Sequence, residues 1–113
     1  MRTIEQVIKR QLVNVEMRQA QLARALRVSD AYLSAMLKGK TAISTKRLTE
    51  FLEHLNFEPR DSAELFQAHL AAGGPIPWSL FPDDMKESLA MQVGTLLADA
   101  WQRQQQESED GQN

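Results

Sequence analysis

An all-α fold is what this 113-residue chain predicts, and three observations predict it. Apolar residues recur at three- and four-residue steps along most of the chain, and strand-like alternation is nearly absent. Ser, Asn, Gly and Pro fall between those runs where helices start and stop. A hydrophobic content of 42% suffices for a packed core, and the absence of cysteine removes disulfides, thiolate metal sites and cysteine nucleophiles. The predicted architecture is a compact five-helix head followed by a C-terminal helix for assembly.

Each element has its own local reason. Ile4, Val7, Ile8, Leu12 and Val15 share one face, which predicts a first helix over about residues 2–15. Leu22, Ala23 and Leu26 repeat the spacing in a shorter helix over 19–26. Ser29 is a good N-cap for a third, over 30–38, and Gly39 ends it. Ser44 or Thr45 starts a fourth, with Leu48, Phe51, Leu52 and Leu55 inward and Asn56 at its C-terminal left-handed position. Pro59 and Asp61 open a fifth, closed by Gly73, Gly74 and Pro75.

The stretch "GGPIPWSLFP", residues 73–82, has the prolines of a linker. Ile76, Trp78, Leu80 and Phe81 make it too apolar to float, so it is expected to pack as an extended strap. Asp83 or Asp84 caps a last helix over about 83–105, with acids at its start as the helix dipole prefers. The polar residues 106–113 are expected to be a disordered tail. The division read here is therefore a head at 1–72, the strap at 73–82, an assembly helix at 83–105, and the tail at 106–113.

Charge is distributed unevenly. Residues 1–60 hold 11 Lys/Arg and 6 Asp/Glu, a net +5, and residues 61–113 hold 2 and 9, a net −7. A basic half that meets a polyanion and an acidic half that stays off it would produce this asymmetry. No apolar run approaches the roughly 20 residues of a membrane span, and the N-terminus is amphipathic rather than signal-like, so a cytoplasmic protein is expected.

Residues 19–38, "QAQLARALRVSDAYLSAMLK", carry the pattern of two short helices crossing at a tight turn. Leu22, Leu26, Val28, Leu33 and Met36 face the core, and small Ala23 sits where the second helix crosses the first. Here the chain resembles the lambda-repressor-like (XRE, Cro-repressor type) helix-turn-helix family. Its members typically read Gln-x-x-Leu-Ala, then Val-Ser, then Ser-x-x-x-x-Gly. This chain has Gln19, Leu22 and Ala23, then Val28-Ser29, then Ser34 and Gly39. The resemblance spans about residues 4–58 and continues through "ISTKRLTEFLEHLNF". Four positions depart from the pattern: Arg27 for the turn Gly, Arg18 for a Ser or Thr cap, Leu37 for Glu, and Ile43 for Pro. Arg27 is thereby predicted at positive φ.

The resemblance implies binding to double-stranded operator DNA, with the second helix of the pair in the major groove. Carried over residue by residue, Gln19 grips phosphate at a helix N-terminus, and Arg18, Lys38, Lys40, Lys46 and Arg47 are phosphate partners. The recognition face is Ser29, Asp30, Ala31, Ser34, Ala35 and Lys38. Asp30 suits a cytosine amino group or the helix cap, Ala31 and Ala35 suit thymine methyls, and Ser34 suits several base edges. Tyr32 is expected to pack at the helix edge. No Arg, Asn or Gln stands on this helix for bidentate reading of G or A, so specificity leans on dimer spacing and DNA shape.

Met85, Leu89, Val93, Leu96, Leu97, Ala100 and Trp101 form an apolar stripe on the last helix. A small head alone makes few contacts, so this stripe is expected to pair or swap between chains in a homodimer spanning two half-sites, the alternative being that it folds back onto the head of its own chain. The function expected is a transcription regulator, a repressor by default, of phage or antitoxin type, with a toxin or RNA polymerase as further partner. The alternative is a protein-interaction module of the same fold with weak DNA recognition. No enzyme, metal or cofactor is expected: there is no Gly-rich phosphate loop, no metal-ligand spacing, and no nucleophile beside a base. His54 and His69 are single residues on separate helices, expected at the surface or a helix edge rather than as ligands.

Overall fold

The computed structural model describes residues 1–111. It is all-α, with six helices and no strand among those residues. These are α1 (Ile4–Asn14), α2 (Gln19–Leu26), α3 (Asp30–Leu37), α4 (Thr45–Leu55), α5 (Pro59–Ala71) and α6 (Asp83–Gly111). Two compact units divide the chain, Met1–Ile76 and Pro77–Asn113.

The first unit is built around one apolar core to which every helix contributes its inward stripe. Val7, Ile8 and Leu12 come from α1, Leu22, Ala23 and Leu26 from α2, and Leu33, Met36 and Leu37 from α3. Leu48, Phe51 and Leu55 come from α4, and Leu65 and Ala68 from α5. Leu37 and Ile43, two of the departures from the family pattern, are both buried here. Each thus exchanges a polar or turn-forming role for apolar burial.

Helix starts follow side-chain capping. The Gln6 N–H donates to Thr3 Oγ1 at 3.2 Å while the Thr3 N–H donates to Gln6 Oε1 at 3.0 Å, a reciprocal box at the head of α1. Ser29 and Ser44 cap α3 and α4 with the hydroxyl alone, accepting from the Tyr32 N–H at 3.0 Å and the Arg47 N–H at 3.2 Å. Four helix ends share a second device, in which an amide two or three residues past the end reaches back to a carbonyl five residues earlier. The pairs are Met17 to Leu12, Val28 to Ala23, Lys40 to Ala35 and Gly74 to His69, at 2.9 to 3.0 Å. The residue between must be left-handed. Gly39 and Gly73 fill two of these sites, but Glu16 (φ 55°) and Arg27 (φ 59°) fill the others. Arg27 behaves as the sequence predicts; Glu16 carried no such expectation.

Polar ties fix the packing of distant elements. Gln11 is buried, and its Nε2–H donates to the Leu55 carbonyl at 2.8 Å, satisfying a carbonyl in the last turn of α4. Arg10 of α1 pairs with Glu64 and, at 3.4 Å, with Asp61 of α5, and Arg2 joins Glu64 at 2.8 Å. The Arg10 hydrogen bond, assisted by Arg2, holds the Glu64 carboxyl below its ordinary value, and Glu64 raises Arg10 in return. His69 corrects a sequence expectation: it is buried, not at the surface. A carbonyl only accepts, so its Nε2 carries the proton given to the Pro75 oxygen at 2.8 Å. Gly74 lies against that ring so closely that a Cβ there would stand 2.3 Å from it.

The second unit differs from expectation in two places. The strap is not fully extended: Trp78–Leu80 form a single 3-10 turn, and the Trp78 and Phe81 rings meet at 6.3 Å, tilted by 60°. Two aromatics three apart come together only if the backbone between them turns. The last helix is also longer than 83–105 and runs on to Gly111 through most of the expected disordered tail. Gln, Glu and Ser continue the helix there, and neither Pro nor Gly interrupts them before Gly111. Gln112 and Asn113, the rest of that tail, lie outside the described residues.

Candidate nucleic-acid interface

The turn between α2 and α3 orients the candidate interface. Arg27 in the left-handed conformation lets the Val28 amide close α2 on Ala23, and Val28 packs against the core. Ser29 then starts α3 at once, its Oγ accepting from the Tyr32 N–H at 3.0 Å. The cap is thus Ser29, which leaves Asp30 exposed in the first turn with its carboxylate free of any ion pair among the described residues. Leu33, Met36 and Leu37 hold α3 to the core.

These contacts decide which way α3 faces. At about 100° per residue, the direction opposite the buried trio passes between Ala31 and Ala35, with Lys38 one turn further along. Ala31, Asp30 and Lys38 are exposed, and Ser34 and Ala35 are partly so. Of the residues nominated from the sequence, Ala31, Ala35 and Lys38 thus lie nearest the outward direction, Ser34 and Asp30 lie toward one flank, and Ser29 is the N-cap of the helix. Tyr32, 40% exposed, stands at the edge of that side. Among the described residues, the Asp30, Lys38 and Lys40 side chains engage no ion pair.

The flanking positions divide. Gln19 is the first residue of α2, where backbone N–H groups lack intrahelical partners. Arg18 is its N-cap and has no acceptor in its side chain for a first-turn amide; the Arg18 N–H itself donates to Gln21 Oε1 at 2.8 Å, the returning half of a capping box. The Arg18 and Lys46 side chains are exposed. Arg47 departs from its expected role as a phosphate partner. Its Nη1–H donates to the Leu26 carbonyl at 3.1 Å and sits 3.3 Å from Glu50, so the guanidinium braces the end of α2 against α4. A carbonyl released at a helix end attracts a cation, and nothing in the local sequence links residues 26 and 47. No group of His, Asp or Glu suited to a metal ion occurs among the described residues.

In the second unit, the nominated assembly residues lie on α6. Leu89 and Val93 are partly exposed, Met85 is 50% exposed, and Leu96, Leu97 and Trp101 exceed 60%. Ala100 is exposed as well. Steps of four residues drift by about 40° each, so the row from Met85 to Trp101 opens into a face about 160° wide. No helix among the described residues is long and apolar enough to cross a membrane.

Comparison with known proteins adds one finding. Residues 8–61, from within α1 to the start of α5, match the HTH_3 family model, described as a helix-turn-helix. No curated protein and no solved structure matches the chain.

Proposed function

Residues 8–61 are a helix-turn-helix domain of the HTH_3 (XRE/Cro) type, a DNA-binding module, and from that premise we propose a sequence-specific transcription regulator that grips operator DNA as a homodimer. Repression by occlusion is the default mode. The observation that carries this reading is the outward side of α3, with Ala31 and Ala35 at its centre, Ser34 and Lys38 beside them and Asp30 exposed at its edge, held there by the buried trio behind them. Gln19 and Arg18 at the head of α2, with Lys38, Lys40 and Lys46, supply phosphate contacts. Arg47 is left out of that set because it is engaged internally. The domain reading follows: a DNA-binding head over 1–72, a strap over 73–82, and an assembly helix from residue 83.

The apolar face of α6 supports the dimer. A face about 160° wide exceeds the narrow seam of a two-stranded coiled coil, which supports a packed helix assembly over a long parallel coil. Leu96→Asp combined with Leu97→Asp changes two exposed positions, so it should leave the head folded and reduce the light-scattering mass to that of one chain. A wild-type mass already equal to one chain would end the dimer claim. DNA binding is tested by titrating salt against binding to DNA upstream of the protein's own gene and to random DNA. A steep salt dependence with a preferred site is expected; no binding at low salt would refute it.

One observation favours a second reading. The α3 face has no Arg, Asn or Gln, and Arg47 is withdrawn from it. That fits a protein-interaction module, such as an antitoxin gripping its toxin or an adaptor for RNA polymerase. The +5 charge over residues 1–60 weighs toward DNA.

A further inference from the structure

We infer that the α3 face reads thymine through its 5-methyl group, and that each half-site carries thymine beneath Ala31 and Ala35. This rests on the DNA-binding reading above and goes on to name the base. The direction opposite Leu33, Met36 and Leu37 is the one that meets the groove floor if α3 enters it, and it passes between two alanines. Their side chains end at Cβ, so no long side chain stands between this part of the helix and the base edges. A methyl group set against guanine O6 and N7, or against the adenine amino group, strips water from a polar edge and returns no hydrogen bond. Set against the thymine methyl, it buries apolar surface on both sides. The centre of the face therefore discriminates by penalty against polar edges and by contact with the single apolar one in the major groove.

The flanks agree with this. Tyr32, 40% exposed beside the alanines, offers a ring edge that a methyl group can also contact. Asp30 lies on the opposite flank with no ion pair among the described residues, and a carboxylate there accepts from a cytosine amino group while repelling the acceptors of guanine. Polar reading thus sits at the margin of the face and apolar reading at its centre.

The test begins with duplexes selected from a randomised pool on the full chain. In the selected site each dT is then replaced in turn by dU, which removes the methyl group and leaves every hydrogen-bonding atom. One or two positions per half-site should weaken binding about fourfold each, the equivalent of about 0.8 kcal/mol for one buried methyl-sized group. The remaining positions should change less than about twofold on the same estimate. Ala35→Ser, with its folding checked by thermal melting, should abolish the dU effect at one of the sensitive positions. A selected site in which no dU substitution weakens binding overturns the inference and leaves the DNA-binding reading standing. Failure to select any site removes that reading, and the inference with it.

Discussion

Arg27→Gly should make the protein more stable, although it deletes a whole side chain. Arg27 sits at φ 59° and ψ 42° so that the Val28 amide can reach the Ala23 carbonyl at 3.0 Å. An L-residue in that conformation is strained by roughly 1–2 kcal/mol because Cβ crowds the carbonyl. Glycine removes that strain but has more freedom in the unfolded chain, which returns about 0.4–1 kcal/mol. The net gain is at most about 1.6 kcal/mol and centres near 0.8 kcal/mol, roughly 3–6 °C in melting temperature for a domain of this size. Arg27 is exposed and makes no hydrogen bond through its side chain to any described residue, so little packing is lost. The assay is thermal and urea unfolding of Arg27→Gly beside Arg27→Ala. The alanine variant removes the charge but keeps Cβ, and should not be stabilised. Equal gains in both would mean that relief of charge repulsion, not of backbone strain, is responsible, and would refute the reasoning. Glu16→Gly offers an independent check, since Glu16 holds the equivalent turn at φ 55° with the opposite charge and should shift in the same direction.

Gln11→Leu keeps the volume but leaves the Leu55 carbonyl without its donor, so urea unfolding should show a loss of about 1–3 kcal/mol. Glu64 titrates below its ordinary value in the folded state because Arg10 and Arg2 hold it ionised. Its contribution is therefore complete above the unfolded carboxyl pKa and is lost as pH falls through the lower folded one. Wild type should lose more stability than Glu64→Gln between neutral pH and the acid side of that window; parallel pH profiles would argue against the Arg10–Glu64 tie. Lys46→Ala and Arg47→Ala, adjacent and equal in charge, should separate. The first should reduce the salt dependence of DNA binding by about one unit of slope, and the second should mainly lower the melting temperature by freeing the Leu26 carbonyl.

Features decided within one turn were legible in the sequence. Ser29 and Ser44 cap helices because their neighbours set the start, and Arg27 and Asn56 are left-handed because each ends a run of apolar spacing. The side of α3 that faces outward was legible for the same reason, since Leu33 and Met36 fix the inward side. What escaped depends on partners far along the chain. Gln11 meets a carbonyl 44 residues away, and Arg47 meets one 21 residues away. Both read as ordinary surface polar residues until folding supplies the acceptor. His69 escaped because its acceptor is the Pro75 carbonyl, across a double-glycine turn. Residues 106–111 continue the helix because no breaker precedes Gly111, and their polar composition, which reads as a tail, does not oppose that course.

The 29 residues of α6 carry one more consequence. A helix in water draws most of its stability from packing an apolar face and little from propensity alone. A copy that has not assembled is expected to sample an unravelled segment containing Trp101, Leu96 and Leu97, which is what degradation machinery recognises. Surplus chains would then be cleared while assembled ones persist, and the cellular dose of the regulator would be trimmed by the same surface that joins it. Pulse-chase half-lives of wild type and the Leu96→Asp, Leu97→Asp variant would measure that difference directly.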